Sequence, residues 1–143
     1  MLQADCVFCG IIRDPSSAFV VLDDSMTLAL LDRRPIFPGH CLLIPKMHYE
    51  TIEDLPSDII GPLFSNAKRL SIAVRLAMKA DGTFLGINNK VSQSVPHLHL
   101  HIVPRRAKDG LRGFFWPRQK YESEEEQVKI RDAIRRELEA LVT

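Results

Sequence analysis

Apolar residues come in short blocks through the first third of the chain and at helical spacing further on. Ala18 to Leu22 and Thr27 to Leu31 are two such blocks, parted by Asp23-Asp24-Ser25, a pattern that predicts a hairpin. Cys41 to Ile44 predicts a third strand. After Pro56-Ser57, residues Ile60, Phe64, Ala67, Leu70, Val74 and Ala77 recur every three or four positions, predicting a long helix that stops at Asp81-Gly82. Gly61 and Pro62 weaken its first turn. Phe84 to Ile87 predicts a strand, and Asn88 to Pro96 a polar loop. His97-Leu98-His99-Leu100-His101-Ile102-Val103 then alternates imidazole with aliphatic groups, which predicts a half-buried strand with Leu98, Leu100 and Ile102 facing the core. Its three imidazoles share the other face, neighbours about 6–7 Å apart. Glu124 to Leu141 predicts a final helix striped by Val128, Ile130, Ile134, Leu138 and Leu141. This order predicts an α+β fold, an antiparallel sheet of about five strands with a long helix and a C-terminal helix.

A length of 143 residues, 45% of them hydrophobic, fits a single domain over 1–143. A net charge of +1 argues against holding nucleic acid by bulk charge. The balance hides a local patch, because Arg105, Arg106, Lys108, Arg112, Arg118 and Lys120 face only Asp109 before the glutamates begin at Glu122. No stretch approaches the roughly 18 apolar residues of a membrane span, and no basic leader precedes an apolar run, so a cytoplasmic protein without membrane partners is expected. Three cysteines, an odd count, do not suggest a disulfide framework. Cys6-Val7-Phe8-Cys9 is a CxxC pair suited to metal or redox chemistry, and Cys41 reads as a buried thiol.

Three of the five histidines stand in one alternating run, and two chemistries are open to them. One is a hydrolytic metal site, although a straight strand sets its first and third imidazoles about 13 Å apart and does not easily bring all three to one ion. The other is nucleophilic catalysis, in which a neutral imidazole attacks phosphorus while its neighbours stabilise phosphoryl oxygens or protonate the leaving group. Gln93, Ser94 and Arg105 favour the second, because they bring hydrogen-bond donors and positive charge to the same stretch.

These residues resemble the histidine triad nucleotide-binding family, whose hallmark alternates three histidines with hydrophobic residues and ends in two more hydrophobics. The resemblance extends from Cys6 to about Arg105, through Leu31-Asp32, Pro38-Gly39-His40, Ile44-Pro45-Lys46-Met47-His48 and Gln93-Ser94-Val95-Pro96, leaving 106–143 as a C-terminal extension. It implies that His99 attacks the α-phosphate of an adenosine-type nucleotide, a phosphoramidate or dinucleoside polyphosphate, to give a covalent nucleotidyl-histidine that water hydrolyses. His101 is then expected to contact the phosphate and assist proton transfer, and His40 to orient the nucleophile from behind. Asp32 is expected on the ribose hydroxyls, Phe8 and Ile11 at the base, and Asn88, Gln93, Ser94 and Arg105 around the phosphate.

In a bacterial branch of the family, the positions of Cys6, Cys9, His48 and His97 bind zinc. Two thiolates and two imidazoles suit a closed structural site, so zinc is the expected cofactor, with no organic one. Family members pair as homodimers, and a homodimer is expected here too. Serine stands at Ser92 where the family often has glycine, and Gly113-Phe114-Phe115-Trp116-Pro117-Arg118 has no counterpart; it is a candidate lid or subunit contact. Two other functions compete: a nucleotide- or partner-binding module with little turnover, and a DNA-adenylate hydrolase, which the missing C₂H₂ finger segment disfavours.

Overall fold

The computed structural model describes residues 1–112 and 117–141, which fall into two compact units, Met1–Asp109 and Gly110–Thr143. Gly113 to Trp116 of the proposed lid lie outside the described residues. In the first unit a short helix α1 (Val7–Arg13) precedes strands β1 (Val20–Asp23), β2 (Thr27–Leu31) and β3 (Cys41–Pro45). The long helix α2 (Ser57–Ala77) then leads to β4 (Gly82–Ile87) and β5 (Leu100–Arg105). The five strands form one antiparallel sheet in the order β1-β2-β3-β5-β4. No helix among the described residues is long and apolar enough to cross a membrane.

Leu28 to Leu30 in β2 and Cys41 to Ile44 in β3 are unbroken apolar runs because both sheet faces are covered. On one face Ala29, Cys41, Leu43, Leu100 and Ile102 pack with Leu63, Ala67, Leu70 and Val74 of α2. On the other, Leu28, Leu30, Leu42 and Ile44 pack with Phe8 and Cys9 of α1. The expected hairpin and third strand are present, with Asp24 Oδ1 accepting the Met26 and Thr27 backbone N–H groups in the turn.

Three expectations need correction. The histidine run is not a strand from its start: the ladder begins at Leu100, after a bend in which Leu98 N–H donates to the Tyr49 carbonyl. Leu98, Leu100 and Ile102 nevertheless enter the α2-facing core, so the alternation of faces holds across the bend. In α2 the buried stripe is Ile59, Leu63, Asn66, Ala67, Leu70 and Val74, while Ile60, Phe64 and Ala77 lie outside. That helix also stops earlier than Asp81-Gly82. Lys79 takes a left-handed φ of 51°, its N–H donates to Leu76, and Ala80 N–H donates to Arg75, the paired bonds that close a helix C-terminus.

The second unit holds α3 (Glu124–Ala140), capped by Ser123 Oγ accepting the Glu126 N–H at 3.0 Å. The expected stripe from Val128 to Leu141 forms but none of it is buried.

Candidate active site and metal centre

The face of the sheet that meets α1 carries a cleft of about 500 Å³. His99 and His101 form part of its wall, with Phe8 and Ile11 from α1, Asp32 from the end of β2, and Ser94 from the loop before the histidines. Leu42 of β3 pairs with His101 and lines the same cleft, so the sheet register sets where the imidazole stands.

Hydrogen bonds fix which nitrogen of each imidazole carries a proton. His99 Nδ1 lies 2.8 Å from the His97 carbonyl, which can only accept, so Nδ1–H donates and Nε2 keeps its lone pair. His40 Nδ1 accepts the Ile36 backbone N–H at 3.1 Å, so neutral His40 carries its proton on Nε2. That proton is donated to His101 Nδ1 at 3.0 Å, which leaves His101 with a donor on Nε2. Burial lowers the pKa of His40, with nearby Asp32 opposing it. Burial, reinforced by His99 and His40, takes His101 down to about 4. Both are therefore neutral near pH 7, as these tautomers require.

Asp32 Oδ1 accepts the Arg34 N–H at 2.9 Å and Oδ2 lies 3.7 Å from His40 Nε2. His40 itself is buried behind His101, next to Gly39, whose φ of 95° and close approach to Met78 leave no room for a side chain. Phe8 is buried, its ring meeting His99 at 5.1 Å and His97 at 5.8 Å in edge geometry.

A second cluster forms where α1 starts. Cys6 is the helix cap, its Sγ accepting the Cys9 N–H. His97 Nε2–H donates to the Pro45 carbonyl at 2.8 Å, which turns the unprotonated Nδ1 toward Cys6 Sγ at 3.5 Å and Cys9 Sγ at 3.6 Å. His48 Nδ1 lies 3.4 Å from Cys9 Sγ. With zinc–sulfur and zinc–nitrogen bonds of ordinary length, the sulfur–nitrogen edge of a tetrahedron is about 3.6 Å. The cluster already has that spacing, so its donor set fits zinc. Burial, then Cys6, pushes the Cys9 thiol pKa up, and a divalent cation reverses that sign by taking the thiolate as ligand.

The remaining expected residues are placed elsewhere. Gln93 does not line the cleft; its Nε2–H donates to the Glu50 carbonyl and its Oε1 accepts the Lys90 N–H. Asn88 does not line it either. Arg105 stands four residues beyond His101, about 13 Å along the strand, where its guanidinium meets Asp109 at 2.6 and 3.0 Å. Val7, Phe19, Leu31 and Arg33 line the cleft without any expectation from sequence, because α1 packs on this sheet face and brings them to one cleft.

Comparison with known proteins agrees with this geometry. A model of the HIT domain matches residues 14–108. The chain is 40% identical over 112 residues to an adenylylsulfatase, HINT3, of Arabidopsis thaliana; the match covers 77% of this chain and 57% of that longer protein. It is 34% identical over 119 residues to the adenosine 5'-monophosphoramidase HNT1 of Saccharomyces cerevisiae, covering 82% and 73%. A zinc-bound histidine triad family protein from Mycobacterium smegmatis superposes with a TM-score of 0.71 at 34% identity, over 96% of this chain and 98% of that one. The chain belongs to the HIT domain family.

Proposed function

We propose that this protein is a nucleotide hydrolase or nucleotidyl transferase acting at the α-phosphate of an adenosine-type nucleotide with a good leaving group, a phosphoramidate or a dinucleoside polyphosphate. One observation carries the reading: the His97 carbonyl selects the tautomer of neutral His99 whose lone pair is on Nε2, in the wall of a nucleotide-sized cleft and beside a His101 whose Nε2–H can donate a hydrogen bond. Nε2 attacks phosphorus and the bond to the leaving group breaks with its electron pair, while His101 Nε2–H donates a hydrogen bond to the departing group and solvent water supplies the proton that group takes. Water then cleaves the phosphorus–nitrogen bond, losing its proton to solvent, and the bonding pair returns to His99 Nε2 as its lone pair. His40 orients His101, Asp32 accepts from the ribose hydroxyls, and Ser94 donates to phosphoryl oxygens. The relatives' names, an adenylylsulfatase and an adenosine 5'-monophosphoramidase, support an adenylyl group as the retained half.

Cys6, Cys9, His48 and His97 are the zinc ligands of this proposal. Bound there, zinc ties the N-terminal segment to the sheet and holds no open position for substrate. A homodimer is supported by β4, an edge strand, and by an exposed stripe on α2, Ile60, Phe64, Ile72 and Leu76.

The test is intact mass spectrometry of a reaction quenched with an adenosine phosphoramidate or a dinucleoside polyphosphate. One adenylyl group on His99 is expected in the wild type and none in His99→Ala. A wild type with neither adduct nor turnover above that variant overturns the enzyme and leaves a binding module in its place.

A further inference from the structure

We propose that Phe19 is a further residue that grips the nucleobase, from the strand side of the cleft whose wall Phe8 and Ile11 also form. The inference rests on the nucleotide reading above. His99 and His101 fix the phosphate end of the cleft, so the base must lie against the apolar part of its wall. Phe8 is only 6% exposed and its ring is engaged by His97 and His99, which leaves little of it for a ligand.

Phe19 is 79% exposed, the largest value for any aromatic ring among the described residues, and it lines the same cleft. Its backbone is fixed, because its carbonyl accepts the Leu31 N–H at 2.9 Å at the end of the β1–β2 pair. Leu31 beside it is 38% exposed, and Val7 on α1, also part of the cleft wall, is 62% exposed. A strand lip of Phe19 and Leu31 and a helix lip including Val7 thus leave apolar surface in water that a planar heterocycle can cover. A ring face reads area rather than edge pattern, so the grip favours purines over pyrimidines and is tolerant between purines.

Calorimetric titration with AMP, CMP and ribose 5-phosphate tests this on the wild type, Phe19→Ala and Phe19→Trp. Phe19→Ala is expected to weaken AMP about tenfold, to weaken CMP less, and to leave ribose 5-phosphate unchanged, with Phe19→Trp restoring AMP. In turnover of an adenosine phosphoramidate, the same loss is expected in KM with kcat unchanged. AMP affinity in Phe19→Ala within about twofold of wild type, or an equal loss for ribose 5-phosphate, overturns the inference while the nucleotide reading stands. A wild type that binds no AMP overturns both.

Discussion

Among the described residues two clusters of ligand-type side chains form, Cys6-Cys9-His48-His97 and Asp32-His40-His101, and in each the donor atoms fall within 4.8 Å of one another. Proximity does not distinguish them; the hydrogen bond on the far side of each ring does. The Pro45 carbonyl occupies the protonated nitrogen of His97 and so presents a lone pair to the thiols. The Ile36 N–H occupies the lone pair of His40 and so presents a proton to His101. The first arrangement suits a cation, whereas the second would have to expel a proton from an imidazole that already accepts at its other nitrogen.

The strongest way to break this contrast is to remove one thiol of the first cluster. Cys9→Ser is expected to lower bound zinc, measured by plasma emission on purified protein, from about one equivalent to a small fraction, and to lower the melting temperature by about 10 °C or more. Titration with cobalt is expected to saturate its visible absorption at about one equivalent per chain. A second equivalent lost in His40→Ala would mean that the other cluster also holds metal.

His40→Ala is expected to cut kcat by about 10- to 100-fold with zinc content unchanged, separating proton handling from metal binding. Gly39→Ala sharpens the same point from the backbone: a strained φ and a clash with Met78 are expected to cost about 2 kcal/mol in urea denaturation and to loosen His40.

A pH series gives a smaller effect. The His101 pKa is depressed by burial from an ordinary 6.5 to about 4, so the unfolded chain takes up a proton that the folded one refuses. Its contribution is intact above pH 6.5 and is lost as pH falls toward 4. His101→Asn is expected to flatten that part of the stability profile. Arg105→Ala is expected to have the smallest effect, about 1 kcal/mol of stability from its pair with Asp109, with AMP affinity unchanged.

Much of this architecture is legible in the sequence where local pattern and burial coincide. Blocks such as Cys41-Leu42-Leu43-Ile44 are fully apolar because both faces are covered, and their length marks them as strands. The phase of α2 is misread for a specific reason. Asn66 sits in the buried stripe, donating to Asp24 and Thr27, so a polar letter stands where the pattern wants an apolar one. The early end of α2 is hidden because lysine, rather than glycine, takes the left-handed position at Lys79. Ser92 likewise adopts a left-handed φ of 60°, so the loop keeps a backbone that glycine favours. The four Cys and His positions are brought together as the family resemblance implies, and the triad's alternation survives although the ladder starts only at Leu100, because Leu98, Leu100 and Ile102 all enter the same core. Phe19 and Arg33 could not be read in advance, since nothing in their own neighbourhoods reports that they will line one cleft with α1.

His97 has two tasks joined by one Cα: its ring faces the thiols and its carbonyl holds His99. A substitution there is consequently a confounded experiment, since loss of the side chain frees the backbone that sets the neighbouring tautomer. Replacements at Cys6 or Cys9 perturb the cage without touching that carbonyl directly. Activity lost in His97 variants therefore says nothing about whether the first imidazole of the run takes part in chemistry.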